Sequence, residues 1–433
     1  MLLAGCGTER SQKGGTRRRA QVSSQELDME QLREKALLVH RQAKGKLSVE
    51  LKVPVVDMND LSVIYSPGVA EPCKEISANQ EEIYHYTVKG NFVAVVSNGT
   101  AVLGLGNIGA RAALPVMEGK AALFKAFAGI DAVPLCLDTE DPEQIIQTVK
   151  LLEPAFGGIN LEDIAAPACF VIEERLRQEM AIPVFHDDQH GTAIVVAAGL
   201  TNALKVVGKR LTDCRVVING AGAAGVAIAK LLLSMGVGDL IMCDTKGAIY
   251  EGRLHGMNAL KEDLAKQTNR ERLAGTLADV IKGADVFIGV SAAGALTPAM
   301  VRTMNRGAIV FALANPVPEI MPDEAKTAGA AIVATGRSDL PNQVNNVLAF
   351  PGVFRGALDV RAREINEAMK IAAADAIAGL IQPEELSEEY VIPNPFDQRV
   401  VAAVASAVAR AAMETGVARV KEKVEEQNRV REG

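Results

Sequence analysis

The sequence predicts an α/β protein of two domains, and three observations support this fold class. The chain has 433 residues, which is too many for one small core. Short apolar runs alternate with longer helical stretches, a pattern typical of parallel sheets covered by helices. Hydrophobic residues form 48% of the chain, enough to fill two cores. We therefore expect an N-terminal α/β domain over residues 29–190 and a doubly wound domain with C-terminal helices over residues 191–433.

The first residues of the chain are set apart from this fold. Residues 7–27 are polar and include three consecutive arginines, which predicts a disordered extension over residues 1–28. Apolar residues at helical spacing then predict a helix over residues 30–40, followed by an extended region over residues 47–56.

The first domain is expected to alternate strands and helices. Apolar runs predict strands at residues 92–96, 132–137 and 182–185. Helical periodicity lies between them, at residues 110–127, 143–152 and 167–179. Such alternation favours a parallel sheet.

The second domain begins with an apolar helix predicted over residues 191–207. Buried strands follow at residues 214–219, 239–243, 286–289, 308–312 and 331–334. The chain is helix-rich from about residue 356, as its apolar spacing indicates. We expect the charged amphipathic segment over residues 417–430 to pack on the domain or to contact another subunit.

Composition limits the classes of partner. The formal net charge is −7 and charged residues form 23% of the chain, with no basic face, so nucleic acid is not an expected partner. The six cysteines are scattered, as expected for reduced thiols of a cytoplasmic protein. No run of about 18 uncharged apolar residues occurs, so no membrane span is expected.

Two pairs of adjacent acids are the strongest signal for chemistry. Asp187 and Asp188 follow one apolar strand, and Glu162 and Asp163 lie in a similar context upstream. Adjacent carboxylates repel one another unless a cation binds them, and carboxylate oxygens suit Mg²⁺ or Mn²⁺. The histidines on either side are spaced as in zinc helices, but the segment is interpreted as a strand end and zinc is not expected.

Two glycine runs match the G-x-G-x-x-G pattern. The run Gly220, Gly222 and Gly225 follows a predicted strand and opens a helix, and Asp244 ends the next strand about 20 residues later, as in dinucleotide sites. The run over residues 104–109 lacks such an acid, and Pro115 is expected to break the helix after it. We interpret this first run as a turn that lines the active site.

Four further side chains have both functional and structural interpretations. Lys120 is a lone cation in an apolar stretch, where it can serve as a base or simply face solvent. Tyr65 lies in a Ser-Pro-Gly turn and is either an acid or a core residue. Asn315 and Asn346 follow strands of the second domain, where they can bind a substrate carboxylate or merely form turns.

Taken together, these motifs closely resemble the malic enzymes, particularly the small bacterial type, over about residues 30–400. The matching motifs are Tyr-Ser-Pro-Gly-Val-Ala (65–70), Leu-Gly-Leu-Gly-Asn-Ile-Gly (103–109), Glu-Gly-Lys (118–120), Leu-Glu-Asp (161–163), His-Asp-Asp-Gln-His-Gly-Thr-Ala (186–193), Gly-Ala-Gly-Ala-Ala-Gly (220–225) and Asn-Pro (315–316).

The resemblance implies a role for each candidate residue. Tyr65 corresponds to the general acid and Lys120 to the general base, while Asp187 supports the proton path. The implied metal ligands are Glu162, Asp163 and Asp188. Asn315 and Asn346 match positions that hold malate, and the cofactor fingerprint is Gly220, Gly222, Gly225 and Asp244. Larger members have an arginine just before the first glycine run, whereas this chain has Thr-Ala-Val-Leu.

The implied reaction is oxidative decarboxylation of L-malate to pyruvate and CO₂, with NAD⁺ or NADP⁺ and Mg²⁺ or Mn²⁺, in a homodimer or higher homo-oligomer. One alternative is another NAD(P)-linked dehydrogenase of a small hydroxy or amino acid, which would not need the four acids. A second alternative is a non-catalytic nucleotide sensor, in which Tyr65, Lys120 and Asp188 would be free to vary. All three residues are present, which favours the enzyme.

Overall fold

The computed structural model describes residues 29–102 and 104–420. The chain divides into two compact units, Met1–Lys44 and Gly45–Gly433. In the first unit the described residues form helix α1 (Met29–Ala43), which confirms the helix predicted over residues 30–40. The predicted extension over residues 1–28 lies outside the described residues, as do residues 421–430 of the predicted amphipathic segment.

The second unit contains two sheets, and the first has four parallel strands in the order β2-β1-β3-β4. These strands are β1 (Phe92–Ser97), β2 (Asp131–Cys136), β3 (Gly158–Leu161) and β4 (Val184–His186). The helices of this part are α2 (Met58–Ile64), α3 (Ala70–Ala78), α4 (Ile83–Tyr86), α5 (Gly109–Ala128), α6 (Pro142–Leu152) and α7 (Ala168–Glu179). Short 3₁₀ turns lie at Gln80–Glu82, Val88–Asn91 and Glu153–Ala155.

The register of this sheet brings the two acid pairs together. Strand β3 pairs with β4 so that Leu161 lies beside His186. The residues that follow, Glu162 and Asp187, therefore leave the sheet next to one another at its carboxyl edge. This is the edge at which open α/β sheets bind ligands.

The second sheet is doubly wound, with strand order β10-β9-β8-β5-β6-β7. Its strands are β5 (Arg215–Asn219), β6 (Asp239–Asp244), β7 (Gly247–Ala248), β8 (Val286–Gly289), β9 (Ala308–Ala312) and β10 (Ala330–Thr335). All neighbours are parallel except β7, which pairs antiparallel with β6. The strand order reverses between β5 and β8, and dinucleotides bind at this kind of switch point.

Helices cover this sheet and form the C-terminal part. They are α8 (Asp187–Val207), α9 (Ala223–Ser234), α10 (Ala259–Ala265), α11 (Leu277–Val280), α12 (Pro298–Val301), α13 (Pro322–Thr327), α14 (Phe350–Asp359), α15 (Glu367–Ala378) and α16 (Arg399–Glu414). Further 3₁₀ turns lie at Leu211–Asp213 and Asn346–Leu348. Among the described residues, α8 alone has the length and apolar composition of a membrane-crossing helix, and it is largely buried between α9 and α15.

The structure corrects two details of the predicted elements. Helix α5 runs through Pro115 without ending there. Helix α8 begins at Asp187 and not at residue 191, so the acid pair directly follows β4 and lies in the first turn of the helix. The predicted boundary at residues 190 and 191 therefore falls inside α8, and the division into domains stays a prediction.

Candidate active site

Three carboxylates form a cluster at the carboxyl edge of the first sheet. Glu162 and Asp163 follow β3, and Asp188 lies in the first turn of α8. One oxygen from each of these side chains lies within 4.8 Å of the others. Glu162 also accepts a hydrogen bond from the Asn160 amide at 2.8 Å, which fixes one of its oxygens.

The backbone of Asp163 has the left-handed conformation, with φ of +53°. This region is uncommon for residues other than glycine, although aspartate and asparagine adopt it more readily than most. The turn lets the Asp163 N–H donate to Asp188 Oδ2 at 2.7 Å. Its carbonyl accepts the Ala101 N–H at 3.0 Å, which ties the first glycine loop to the acid cluster.

Lys120 projects from α5 into the cluster and is buried. Its Nζ lies 2.6 Å from Asp187 Oδ2 and 2.9 Å from Glu162 Oε1. It also stands over the Phe350 ring, 4.2 Å from the centroid. Burial alone would lower the pKa of Lys120, but the Asp187 and Glu162 carboxylates raise it above the ordinary value. Lys120 is therefore protonated when these carboxylates are ionised.

Asp187 is fully buried and holds two neighbours in place. Its Oδ2 accepts hydrogen bonds from Lys120 and from the Asn346 amide, both at 2.6 Å. Its Oδ1 has no partner among the described residues. A Cβ placed on Gly191 would lie 1.8 Å from that oxygen, so only glycine fits at position 191. The sequence pattern did not predict this function of Gly191.

The raised pKa values of the acids indicate that Lys120 alone does not balance the negative charge of the cluster. Burial raises the pKa of Glu162 to about 7 and that of Asp188 to about 6, with Lys120 opposing both shifts. Burial and the neighbouring Asp188 raise the pKa of Asp163 to about 8. Asp163 Oδ2 is also buried without a partner among the described residues. Carboxylate oxygens that lack donors and repel one another fit a divalent cation such as Mg²⁺ or Mn²⁺.

The two histidines beside the acid pair have different surroundings. His186 is fully buried at the end of β4, and burial lowers its pKa to about 4. His190 lies on α8, where Nε2 is 2.6 Å from Glu173 and Nδ1 is 3.1 Å from Lys370. The metal-ligating group found in the described part of the chain contains carboxylates and no histidine.

Tyr65 ends α2 and is 67% exposed. Within the described residues, no hydrogen bond links its hydroxyl to Lys120 or to the acids. Among the described residues, Tyr65 is therefore not tied to the cluster by a hydrogen bond within one chain.

Asn315 follows β9 and lies next to the first glycine loop. A Cβ on Gly104 would lie 2.9 Å from the Asn315 carbonyl, so the loop passes close to it. The loop preceding Asn315 is anchored by Glu319, which is fully buried. Glu319 accepts the backbone N–H groups of Ser291 (2.8 Å) and Ala314 (3.0 Å), which joins the ends of β8 and β9. No sequence pattern pointed to Glu319, because its function depends on Ser291, which lies 28 residues away along the chain.

The second glycine run has the geometry of a phosphate-binding turn. Gly220 has φ of +123°, and a Cβ there would lie 2.5 Å from the Val290 carbonyl. A Cβ on Gly225 would lie 1.9 Å from the Gly220 carbonyl, so helix and strand pack closely. Nothing lies within 4 Å of a Cβ on Gly222, which leaves space for a ligand. Helix α9 begins at Ala223 without a side-chain cap, so free N–H groups face this space.

Asp244 ends β6 but is already paired. Two Arg253 nitrogens lie 2.6 and 2.9 Å from its oxygens, and Lys261 Nζ lies at 2.7 Å. Burial alone would raise the pKa of Asp244, but these two cations lower it below the ordinary value. The sequence pattern pointed to Asp244 but not to Arg253 or Lys261, which lie on a loop and a short helix with no distinctive spacing.

Family models match both halves of the chain. The N-terminal domain of malic enzyme matches residues 44–177, and the NAD binding domain of malic enzyme matches residues 189–413. The chain belongs to the malic enzyme family. The resemblance drawn from the sequence and the predicted α/β class are therefore confirmed.

Curated relatives include enzymes named for either cofactor. A bifunctional malic/malolactic enzyme of Bacillus subtilis is 66% identical over 389 residues, which cover 90% of this chain and 95% of that protein. A NAD-dependent malic enzyme of Geobacillus stearothermophilus is 58% identical and covers 87% and 78% of the two chains. The NADP-dependent malic enzyme of Escherichia coli is 52% identical over 90% of this chain, which spans 53% of that longer protein.

Solved structures agree with this assignment. The malic enzyme of Pyrococcus horikoshii is 52% identical, with a TM-score of 0.88 over 92% of this chain and 95% of that chain. The NAD-dependent malic enzyme of Thermotoga maritima is 53% identical, with a TM-score of 0.84 over 86% and 98%.

Proposed function

We propose that this chain catalyses the metal-dependent oxidative decarboxylation of L-malate to pyruvate and CO₂ with reduction of NAD⁺ or NADP⁺. The observation that carries the proposal is the position of Lys120, between Asp187 and a carboxylate cluster that suits a divalent cation. This arrangement supports a proton acceptor and a cation site at the same edge of the sheet.

The proposed ligands of the cation are Glu162, Asp163 and Asp188. A divalent cation held there supplies a Lewis acid that favours both negative charge on the C2 oxygen and loss of CO₂. Gly220, Gly222, Gly225 and the start of α9 would hold NAD(P)⁺, which would supply a hydride acceptor at the site.

Lys120 and Asp187 together form the proposed proton path. Lys120 is protonated beside ionised acids, so it must lose a proton before it can accept the one on the C2 hydroxyl. Asp187 is the available acceptor, because burial raises its pKa to about 7 and its oxygen lies 2.6 Å from Lys120. The Asn346 amide, which donates to the same oxygen, and Asn315 are proposed to bind the substrate carboxylates.

Tyr65 is proposed to protonate C3 after CO₂ leaves, and in this proposal it reaches the acid cluster of a second subunit. It lies in an exposed apolar segment over residues 47–69. The large hydrophobic residues exposed there are Leu47, Val49, Leu51, Val53, Val55, Val56, Met58, Leu61, Val63, Ile64, Tyr65 and Val69. Exposed apolar patches of this kind mark interaction sites, which supports a homodimer built on this segment.

The surroundings of Asp244 bear on the choice of cofactor. One carboxylate and two cations leave a positive charge where a ribose 2′ substituent is expected to lie. We propose that the site accepts NAD⁺ and also tolerates the 2′-phosphate of NADP⁺. The described cysteines are free thiols, which is consistent with the proposed cytoplasmic location.

The proposal is tested by steady-state assays with L-malate, either cofactor, and Mn²⁺ or EDTA. We expect cofactor reduction and pyruvate formation that require Mn²⁺. Asp188→Asn should remove this turnover while cofactor binding, measured by fluorescence, stays near that of the wild type. If neither cofactor is reduced in the presence of malate, the proposal is wrong. Lactate without net cofactor reduction would instead indicate the malolactic activity named for the Bacillus subtilis relative.

A further inference from the structure

His186 is a buried polar residue with no role in the proposed reaction. It ends β4, directly before the two acids of α8, and its side chain is fully buried. Neither ring nitrogen meets the geometry of a hydrogen bond to a partner among the described residues, although the backbone of Ile164 lies close enough to act on the ring. An unpaired polar group in the interior costs about 1–3 kcal/mol, so an apolar residue would suit this position better unless the ring acts on a neighbour.

The neighbour that the ring faces is Asp188. His186 Nδ1 lies 3.7 Å from Asp188 Oδ2, the oxygen that already accepts the Asp163 N–H at 2.7 Å. His186 Nδ1 and the backbone nitrogen of Asp163 therefore both lie near Oδ2 of Asp188. Asp188 also belongs, with Glu162 and Asp163, to the group of carboxylates that could hold a cation.

We propose that His186 is a positioning residue for Asp188: its Nδ1–H donates to Oδ2 and directs the other oxygen toward the metal. The proposal rests on the metal site of the proposed function. A separation of 3.7 Å is too long for a hydrogen bond. The side chain of Asp188 is 33% exposed, whereas His186 is held in the sheet, so the carboxylate is the partner that moves to close the gap.

Three variants of His186 separate positioning from packing. In His186→Asn the amide nitrogen is bonded to Cγ, as Nδ1 is, so the donor is kept; in His186→Gln the amide lies one bond farther away. His186→Leu keeps most of the volume and removes the donor. A donor to a metal ligand typically contributes 10–100-fold in affinity. We expect the Kd for Mn²⁺ to rise about 10–100-fold in the Leu and Gln variants and to stay within a few-fold of wild type in the Asn variant.

The Kd is measured on the full-length protein by titrating Mn²⁺ and following free Mn²⁺ by electron paramagnetic resonance, with no substrate present. Thermal unfolding is measured in parallel. His186→Asn leaves a cavity and His186→Leu does not, so stability should be lower for Asn than for Leu. Metal affinity should follow the opposite order. An affinity that follows stability, or equal affinities in the Asn and Gln variants, would overturn the proposal.

Asp188→Asn separates this inference from the proposed function. If the wild type binds no Mn²⁺, the metal site itself is wrong. If the wild type binds Mn²⁺ and Asp188→Asn does not, while His186→Leu binds as wild type does, only the role of His186 is wrong.

Discussion

At the scale of single residues, the acid cluster links metal binding to pH. Folding raises the pKa values of Glu162, Asp163, Asp187 and Asp188 to between about 6 and about 8. Without metal, the folded protein therefore binds more protons than the unfolded chain over this range. The stability contributed by these protons is complete below the ordinary carboxyl pKa near 4 and is lost as the pH rises to about 8.

We predict that Mn²⁺ reverses this loss. In EDTA the melting temperature should fall between pH 5 and pH 8 because the cluster loses its protons. Mn²⁺ binds the deprotonated ligands, so its stabilising effect should grow with pH. At 100 times its Kd it should add about 2.7 kcal/mol. Differential scanning fluorimetry at several pH values, with EDTA or Mn²⁺, measures both effects.

Asp163→Asn is the control for this prediction. Asparagine tolerates the left-handed backbone at position 163 and keeps the N–H bonded to Asp188, but it removes one charge. The variant should show a weaker pH dependence in EDTA and a smaller effect of Mn²⁺. Identical curves for Asp163→Asn and wild type would contradict this account of the cluster.

Residues of the site differ in how far the sequence could predict them. The two acid pairs and the glycines could be predicted because each signal lies within a few consecutive residues and has one main physical explanation. The functions of Arg253, Lys261 and Glu319 could not be predicted, since each of these residues acts through a partner brought near by folding. The charge state of Lys120 also depends on folding: its raised pKa comes from Asp187 and Glu162, which are distant in sequence.

At the scale of elements, the start of α8 places Asp187 against its partners. Gly191 lies one turn after Asp187 and leaves no room for a Cβ. We predict that Gly191→Ala displaces the Asp187 carboxylate and breaks its bonds to Lys120 and Asn346. A misplacement of about 1 Å at a reacting group can cost about 100-fold in rate, so kcat should fall by this order. Malate-dependent cofactor reduction under saturating conditions measures it.

Gly119→Ala is the matched control for this prediction. Gly119 also lies in a helix and is the neighbour of Lys120, but nothing lies within 4 Å of a Cβ placed there. Alanine should leave kcat near the wild-type value and stabilise the helix by about 0.4–1 kcal/mol. Equal losses in the two variants would show that the contact with Asp187 is not the cause.

The elements themselves were predicted best where periodicity was strong. The strand, glycine turn and helix from β5 to α9 follow the predicted pattern closely. The start of α8 was placed four residues late, because the polar Asp-Asp-Gln-His sequence interrupts the apolar pattern that marks the helix. Acidic residues favour the first turn of a helix, where they lie near the positive end of its dipole. The prediction gave this signal less weight than the interrupted apolar pattern. Strand β7 is too short to leave a pattern.

At the scale of the whole molecule, the feature that the sequence predicts least well is the contact between subunits. Alternation of strands and helices predicted the two parallel sheets, since each apolar run is buried within one chain. The segment over residues 47–69 differs from these runs, because its large apolar residues are exposed in the described chain. Covering them requires a second surface, and the sequence of one chain does not specify which chain supplies it.

A heterodimer test decides whether Tyr65 acts in a neighbouring subunit. Tyr65→Phe and Lys120→Ala should each be nearly inactive as homodimers. Co-expressed with different tags and purified through both, a heterodimer has one site with both residues intact if Tyr65 acts on the partner subunit. We predict about half the wild-type kcat per dimer for this species. If Tyr65 acts within its own chain, every site carries one defect and the heterodimer stays as inactive as its parents, which would refute the shared site.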